Sequence, residues 1–423
     1  MTTWATAKGY LSRARHHPLV TRTSWMLIGY AARTLFQGLT FILVARALGP
    51  DGFGTFSAGL ALATLVGPFV ELGAYSLVIK DIVDGATPSR AVGNSLVLVV
   101  MAVPPALVIL LLLRAIMVPS LPLSLIGAVG LSVFVGQKIV SIITGIHVAE
   151  GKLWRNAALE IGGGLVSLAL VGFLFLLPYR TPEVWSGMFL AQNLLLGAVA
   201  LCWCAATWGI PTWSSSEARD RVLPGLNLSL ASAVQSSYMD LDKIMLARLS
   251  SYQATGVYSA AFRVSSALSL PLYAFLATTY PKFFDVGRNG PRAAFKLSLR
   301  ILPVTVSYGL VGLGGMWFFS PFLAKLFGSD YGDASGAMRL LAVIVLLQCV
   351  HLPIGDALTG SGLQIYRTLG HIGALVLNLL LNLWLIPKHG WGGASLASIA
   401  TQFLLVVFWG WTLFYKSRKE SQL

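Results

Sequence analysis

Nine ionisable residues stand inside long apolar runs of this chain of 423 residues: Arg33, Glu71, Lys138, Glu160, Asp240, Asp242, Lys243, Arg263 and Asp356. Even on the lenient insertion scale, a basic or Asp residue at the centre of an apolar helix costs roughly 2.5–3.5 kcal/mol, so such residues mark binding or ion pathways and face protein or water. Depth sorts them. At about 1.5 Å per residue, Arg33 and Lys138 lie about 12 Å from the inner edge of their runs and Arg263 about 10 Å from the outer edge. Glu71, Glu160 and Asp356 fall close to the inner ends, and Asp240, Asp242 and Lys243 near an outer end. Deep cations suit an anionic substrate. Glu71, Asp240, Asp242 and Asp356 are the positions where a coupling proton or sodium ion would sit.

Helical spacing groups these residues with polar neighbours. Tyr30, Arg33, Gln37 and Thr40 share one face, as do Thr64, Pro68, Glu71 and Tyr75. Ser229, Ser232, Ser236, Asp240 and Lys243 form a third stripe, and Arg263, Ser266, Ser269 and Tyr273 a fourth. Together they are expected to enclose a polar cavity between two halves of the molecule. Arg33, Lys138 and Arg263 would make that cavity basic, and Gln37, Tyr30 and Tyr273 would add polar and aromatic surface to it. Plainer roles compete at each position. Intramembrane cations pair with carboxylates or cap carbonyls, and Asp240 with Lys243 at i, i+3 makes a local ion pair. Serine stripes pack helices, and Gly162-Gly163-Gly164 reads as close helix packing. His351 and His371 read as solvated or internally satisfied.

The elements that must hold these residues are membrane helices. The chain is 56% hydrophobic and 11% charged, with mean hydropathy +0.75, where a soluble domain is about 25% charged. A soluble enzyme is excluded. Runs of about 20 apolar residues place twelve spans at 25–45, 55–75, 94–114, 122–146, 157–177, 185–208, 222–247, 256–280, 298–320, 337–359, 365–386 and 391–415. Of the 30 Lys and Arg, 19 fall on the side holding both termini and seven on the other. Cytoplasmic loops are enriched in these residues, so both termini are expected in the cytoplasm, and the protein in the cytoplasmic (inner or plasma) membrane. Most of the +14 net charge therefore reports topology and contact with anionic lipid, with no nucleic-acid partner. Cys202, Cys204 and Cys349 lack any metal-ligand spacing, and no GxxxxGK[ST] occurs, so no metal, cofactor or ATP site is expected.

A repeat divides the spans. Ala45-Arg46, seven residues, then Gly54-Thr55-Phe56-Ser57-Ala58 recurs as Ala247-Arg248, seven residues, then Gly256-Val257-Tyr258-Ser259-Ala260, at an offset of 202. A weaker echo pairs Gly151, Trp154 and Arg155 with Gly362, Tyr366 and Arg367. Two parallel six-helix bundles are expected, 25–208 and 222–415, joined by a cytoplasmic linker at 209–221. A basic N-terminal segment at 1–24 and a tail at 416–423 flank them. Transporters built from such repeats bind substrate between the halves.

The run from Ala45 through Gly49-Pro50-Asp51-Gly52-Phe53-Gly54 to Phe56, followed by Glu71-Leu72-Gly73, resembles the polysaccharide transporter, O-antigen flippase-like branch of the multidrug/oligosaccharidyl-lipid/polysaccharide (MOP) exporter superfamily. So does Gly256 through Arg263. The resemblance implies an all-α, V-shaped two-bundle membrane protein that flips a polyprenyl-pyrophosphate-linked oligosaccharide. It implies a pyrophosphate held by cavity arginines, matched here by Arg33 and Arg263. Expected partners are the lipid-linked oligosaccharide, membrane lipids, and a polymerase or other glycan-assembly proteins. A cation-coupled multidrug exporter of the same fold is the alternative. A membrane glycan polymerase or transferase fits less well, because no outer loop carries a convincing catalytic set.

Overall fold

In hydrocarbon every backbone N–H and C=O must be satisfied within its own segment, so apolar runs of this length fold as helices. A computed structural model describes residues 18–419, and side chains from Ala32 onward except at positions 227, 231 and 234–239. The segment 1–17, the residues 420–423 and the side chains of Tyr30 and Ser236 thus lie outside the described part. The helices run as α1 (Pro18–Glu71), α2 (Ala74–Val83), α3 (Pro88–Met117) and α4 (Leu123–Leu131), the last continuing through a π-turn (Ser132–Gly136) into α5 (Gln137–Ala149). Next come α6 (Leu153–Leu176), α7 (Pro182–Trp208), α8 (Ser215–Asp220) and α9 (Val222–Leu249). The rest are α10 (Tyr252–Gly287), α11 (Pro291–Phe319), α12 (Phe322–Phe327), a 3-10 turn (Ser329–Tyr331), α13 (Ala334–Gly360), α14 (Gln364–His389) and α15 (Trp391–Lys419).

Ten stretches among the described residues are long and apolar enough to cross a membrane. One of them, Ala32–Val83, has 52 residues, about 78 Å if straight, against a hydrocarbon core of about 30 Å. It is divided at Gly49, whose φ of 67° and ψ of 174° are not helical. Helix α9 has 28 residues, and Asp240, Asp242, Lys243 and Arg248 make it more polar than the ten. This divided stretch and α9 account for the difference between the ten stretches and the twelve spans expected from the sequence. The second pass ends earlier than the apolar run does. Leu72 (φ 45°) and Gly73 (φ 62°) are left-handed and stop α1 at Glu71, with α2 restarting at Ala74.

The chain divides into two compact units: residues up to Ala47 with Gly59–Leu241, and Leu48–Ala58 with the residues from Asp242 on. The division falls within α9 and not in the 209–221 segment. That segment is tied to the first unit. Thr212 N–H donates to the Ser89 carbonyl (3.2 Å), and Ser214 N–H donates to Asn94 Oδ1 (2.7 Å). Asn94 Nδ2 and Arg90 Nε both donate to Glu217 (2.7 and 2.9 Å), and Arg221 pairs with Asp81. In the same unit α7 packs along α4 and α5, and α2 against α5. Of the three consecutive glycines, Gly163 faces Leu196 and Gly164 faces Phe36, but Gly162 has no atom within 4 Å of a Cβ position. The packing role expected of the triplet therefore belongs to two of its members.

In the second unit α13 packs against α10, α11 and α15, and α14 against α15. Trp409, fully buried, anchors its core with Phe283, Ile354, Leu358 and Leu413; Gly370 and Gly355 leave room for the indole. The repeated turn is resolved here as a reciprocal contact. A Cβ on Gly54 would overlap the Tyr252 carbonyl, and one on Gly256 would overlap the Pro50 carbonyl. Pro50 and Tyr252, like Gly54 and Gly256, stand 202 residues apart, so each copy of the turn makes the same contact on the other. Gly54→Ala or Gly256→Ala should each destabilise the protein by about 1–3 kcal/mol through overpacking, lowering its apparent Tm in detergent. Gly38→Ala, where no atom lies within 4 Å, should leave Tm unchanged or slightly higher.

Candidate functional site

The first unit holds a cavity of about 470 Å³ lined among others by Thr64, Glu71, Tyr75, Gln137, Lys138 and Ser232. Three local devices build it. The left-handed pair Leu72-Gly73 ends α1 directly after Glu71; for Leu72 this conformation costs about 1–2 kcal/mol. Close approach of α9 holds the break, with Gly225 against the Leu72 carbonyl and Leu228 against Gly73. A carboxylate at a helix C-terminus faces the negative end of the helix dipole. Glu71 is offset there by Lys138, whose Nζ lies 2.6 Å from Oε2, and by Ser141 Oγ, which donates to Oε1 at 3.1 Å.

The π-turn is the second device. It adds one residue to the helix and so changes the face on which Gln137 and Lys138 emerge. The turn is pressed onto α7, with Gly136 against the Asn193 backbone and Ser132 Oγ donating to the Phe189 carbonyl at 3.3 Å. Gly67 is the third. Lys138 Cε and Nζ pass 3.9 Å from where its Cβ would be, so the lysine reaches Glu71 past a bare stretch of helix. Side-chain exposure is 15% for Lys138 and 23% for Glu71, leaving the pair partly open to the cavity. Beside it, Thr64 Oγ1 lies 2.8 Å from Asp240 Oδ2 and 2.9 Å from the Ala61 carbonyl. Its single proton serves one acceptor at a time. An ionised Asp240 takes it; a protonated Asp240 donates to Thr64, whose proton then goes to Ala61. Both states of Asp240 are satisfied at this contact.

The other expected residues occupy separate places. Arg33 pairs with Glu160 (Nη1 to Oε1, 3.2 Å) with 53% of its side chain exposed, and Gln37 is exposed. Neither lines the cavity of the first unit. In the second unit Arg263 is half-buried and Tyr273 exposed, both on α10. Asp356 pairs with Arg367 (3.3 Å), which also donates to Thr359 (2.8 Å). Asp242 is buried and accepts hydrogen bonds from Tyr258 Oη (2.8 Å), Asn382 Nδ2 (2.7 Å) and Ser398 Oγ (2.7 Å). Lys243 lies over the Phe262 ring, 4.5 Å from its centroid. Ser229 and Ser232 donate back to the carbonyls of Gly225 (2.8 Å) and Leu228 (3.1 Å).

Comparison with known proteins decides the family. Residues 19–286 match the model of the family described as polysaccharide biosynthesis protein. The chain belongs to that family. It is 26% identical over 387 residues to the probable low-salt glycan biosynthesis flippase Agl15 of Haloferax volcanii, covering 87% of this chain and 77% of the relative. It is 28% identical over 174 residues to the probable flippase AglR of the same organism, 40% of this chain and 36% of the relative. An inward-facing multidrug resistance MATE family transporter of the MOP superfamily shares the fold (TM-score 0.71, 15% identity, 93% of this chain and 99% of that one). So does a MOP superfamily transporter from Pyrococcus furiosus (TM-score 0.60, 17% identity, 95% and 97%). This polysaccharide biosynthesis family protein is thus an all-helical, multi-pass membrane protein of the MOP fold.

Some site residues of this family member escaped the sequence reading although a signal was there. Gln137 and Ser141 stand on either side of Lys138 within one mainly apolar run, and Asn378 and Asn382 at i, i+4 within another. Each polar cluster marks a face turned to protein. Lys138 and Glu71 each leave a partly buried charge behind if the other is removed. Lys138→Met should therefore lower Tm more than the double variant Lys138→Met/Glu71→Gln, with a coupling energy of about 0.5–3 kcal/mol. Additive effects in thermal unfolding would show that the pair is not energetically linked.

Proposed function

We propose that this protein translocates a polyprenyl-pyrophosphate-linked oligosaccharide across the cytoplasmic membrane, by alternating access, with both termini in the cytoplasm. The observation that carries the reading is the family match over residues 19–286, joined to the likeness to a glycan biosynthesis flippase over 87% of the chain. The geometry supplies chemistry suited to such a substrate. Lys138 gives the cavity a cation, and Tyr75, Gln137 and Thr64 give it ring and hydrogen-bonding surfaces for a sugar. Arg33 and Arg263 are the further cations for the pyrophosphate, with Gln37, Tyr30 and Tyr273 as sugar contacts.

In this mechanism Glu71 is the resident counter-ion of Lys138. An arriving phosphate displaces it from the lysine while Glu71, partly exposed to the cavity, keeps its hydrogen bond from Ser141, and release restores the Glu71 ion pair. An inside-negative potential favours outward movement of an anion by about 2.3 kcal/mol per charge per 100 mV, which supplies direction. Asp240 and Asp242 are the proposed sites of any exchanged proton or sodium ion: Asp240 because both of its protonation states find a partner in Thr64, Asp242 because three neutral donors converge on it. Asp356, already paired with Arg367, is assigned a structural role. Glycan-assembly enzymes are the proposed partners, upstream and downstream of the flip.

The fold is shared with multidrug transporters, so the test separates the two substrates. Lys138→Gln, Arg33→Ala and Arg263→Ala, expressed at the normal level, should each reduce surface glycan, by about tenfold or more where a charge-assisted hydrogen bond to phosphate is removed. Tolerance of cationic dyes should not change. Unaltered glycan with altered dye tolerance would transfer the protein to the drug-exporter class.

A further inference from the structure

The turn between α5 and α6 carries a second cluster that the transport reading does not use. Arg155, in the first turn of α6, lies among three indoles, its Cζ 5.6 Å from the ring centroid of Trp154, 5.5 Å from Trp203 and 5.1 Å from Trp208. Ring faces hold the charge but leave the edge donors over. Arg155 Nε and Nη1 are buried without a hydrogen-bond partner among the described residues. Fully buried His147 closes the cage, with ring centroids 5.8 Å from Trp203 and 5.7 Å from Trp208. Its Nδ1 is 2.7 Å from Asn156 Oδ1, so Nδ1–H donates there and Nε2, also unpartnered among the described residues, is an acceptor. The neighbouring carboxylate is taken. Glu150 pairs with Lys152 (2.7 Å) and accepts from Trp208 Nε1 (2.7 Å).

The second unit contains a related cluster whose guanidinium has its acceptors. Arg367, in the first turn of α14, lies 6.0 Å from the Trp409 centroid, and His351 and His371 flank that indole at 5.4 and 4.9 Å. There the guanidinium has Asp356 and Thr359 as acceptors. Among the described residues of the first unit, none does for Arg155 what Asp356 does for Arg367.

Arg155 as a whole is half-buried, and a guanidinium with unpartnered donors fits an oxyanion, its planar fork matching phosphate geometry. Trp154, 47% exposed, places the cage at the depth where tryptophans meet lipid headgroups. We propose that Arg155 binds the phosphate of an anionic glycerophospholipid between these tryptophans.

The full chain, delipidated in uncharged detergent and titrated with phosphatidylglycerol or phosphatidylcholine, tests this by native mass spectrometry. Wild type should retain one phosphatidylglycerol in preference to phosphatidylcholine by about tenfold or more, the scale of one charge-assisted hydrogen bond. Arg155→Gln should reduce that retention to the phosphatidylcholine level, while Lys282→Gln, an exposed cation elsewhere, should leave it unchanged. If Arg155→Gln does not purify as a folded species, Arg155→Lys carries the test, because it keeps the charge and loses the fork: reduced preference supports the site. Equal lipid retention by the Arg155 variants, no preference in wild type, or an equal loss in Lys282→Gln overturns it. Displacement of the lipid by millimolar inorganic phosphate would show a site for the free ion and overturn the lipid assignment.

Discussion

The constraint on which the rest of the architecture hangs is a contact with no side chain in it. Gly54 faces the Tyr252 carbonyl and Gly256 faces the Pro50 carbonyl, so two backbone turns approach more closely than any Cβ permits. Lipid tails are as apolar as leucine, so hydrophobic burial gives membrane helices little reason to associate; close packing over small residues does so instead. This one is reciprocal because the sequence repeats at an offset of 202. It also accounts for the way Leu48–Ala58 cluster with the residues after Asp242. The turn that opens the chain's second pass is packed against its own copy, and Gly49, with its non-helical backbone, lets the chain leave the preceding helix to reach it.

Beyond that close approach, the fold is governed by the cost of charge away from water. Arg33 has Glu160, Lys138 has Glu71 and Ser141, Arg367 has Asp356 and Thr359. Asp242 is held by three neutral donors from three different helices. Each bond joins helices within one unit, so charges that are expensive singly also fix which helices are neighbours. Asp242 links α9, α10, α14 and α15 at one point, which no apolar contact of similar size could specify so narrowly.

Much of this was legible in the sequence, and what was not has a common cause. Apolar run length gives the helices, and the Gly54/Gly256 repeat marks the turn that packs on its own copy, because those properties are local or periodic. The cations were found for the same reason: Lys138 stands out in its run. Its partner does not, because Glu71 lies 67 residues away and reads by depth as an interfacial carboxylate; likewise Arg33 and Glu160 are 127 apart. Depth along one helix says how costly a charge is, not who neutralises it. The left-handed Leu72 carries no sequence signal at all beyond the glycine after it, since its conformation is imposed by Gly225 of α9 against its carbonyl.

That pairing alters what a deep cation can do. A bare lysine in a low-dielectric cavity would hold a phosphate so tightly that release would be slow, and its own desolvation would oppose folding. A lysine already bound to a carboxylate exchanges one anion for another. The Coulomb gain from the phosphate is then largely offset by the Glu71 ion pair it replaces, and the net affinity is a small difference that can change sign as the site opens to water. For a carrier this is the useful regime, because a ligand must be bound on one side and surrendered on the other. The same reasoning separates the two arginine cages. Arg367, with Asp356 and Thr359 as acceptors, lies beside the single indole of Trp409; Arg155, among three indoles and with no carboxylate of its own among the described residues, is the one whose chemistry calls for something from outside the chain.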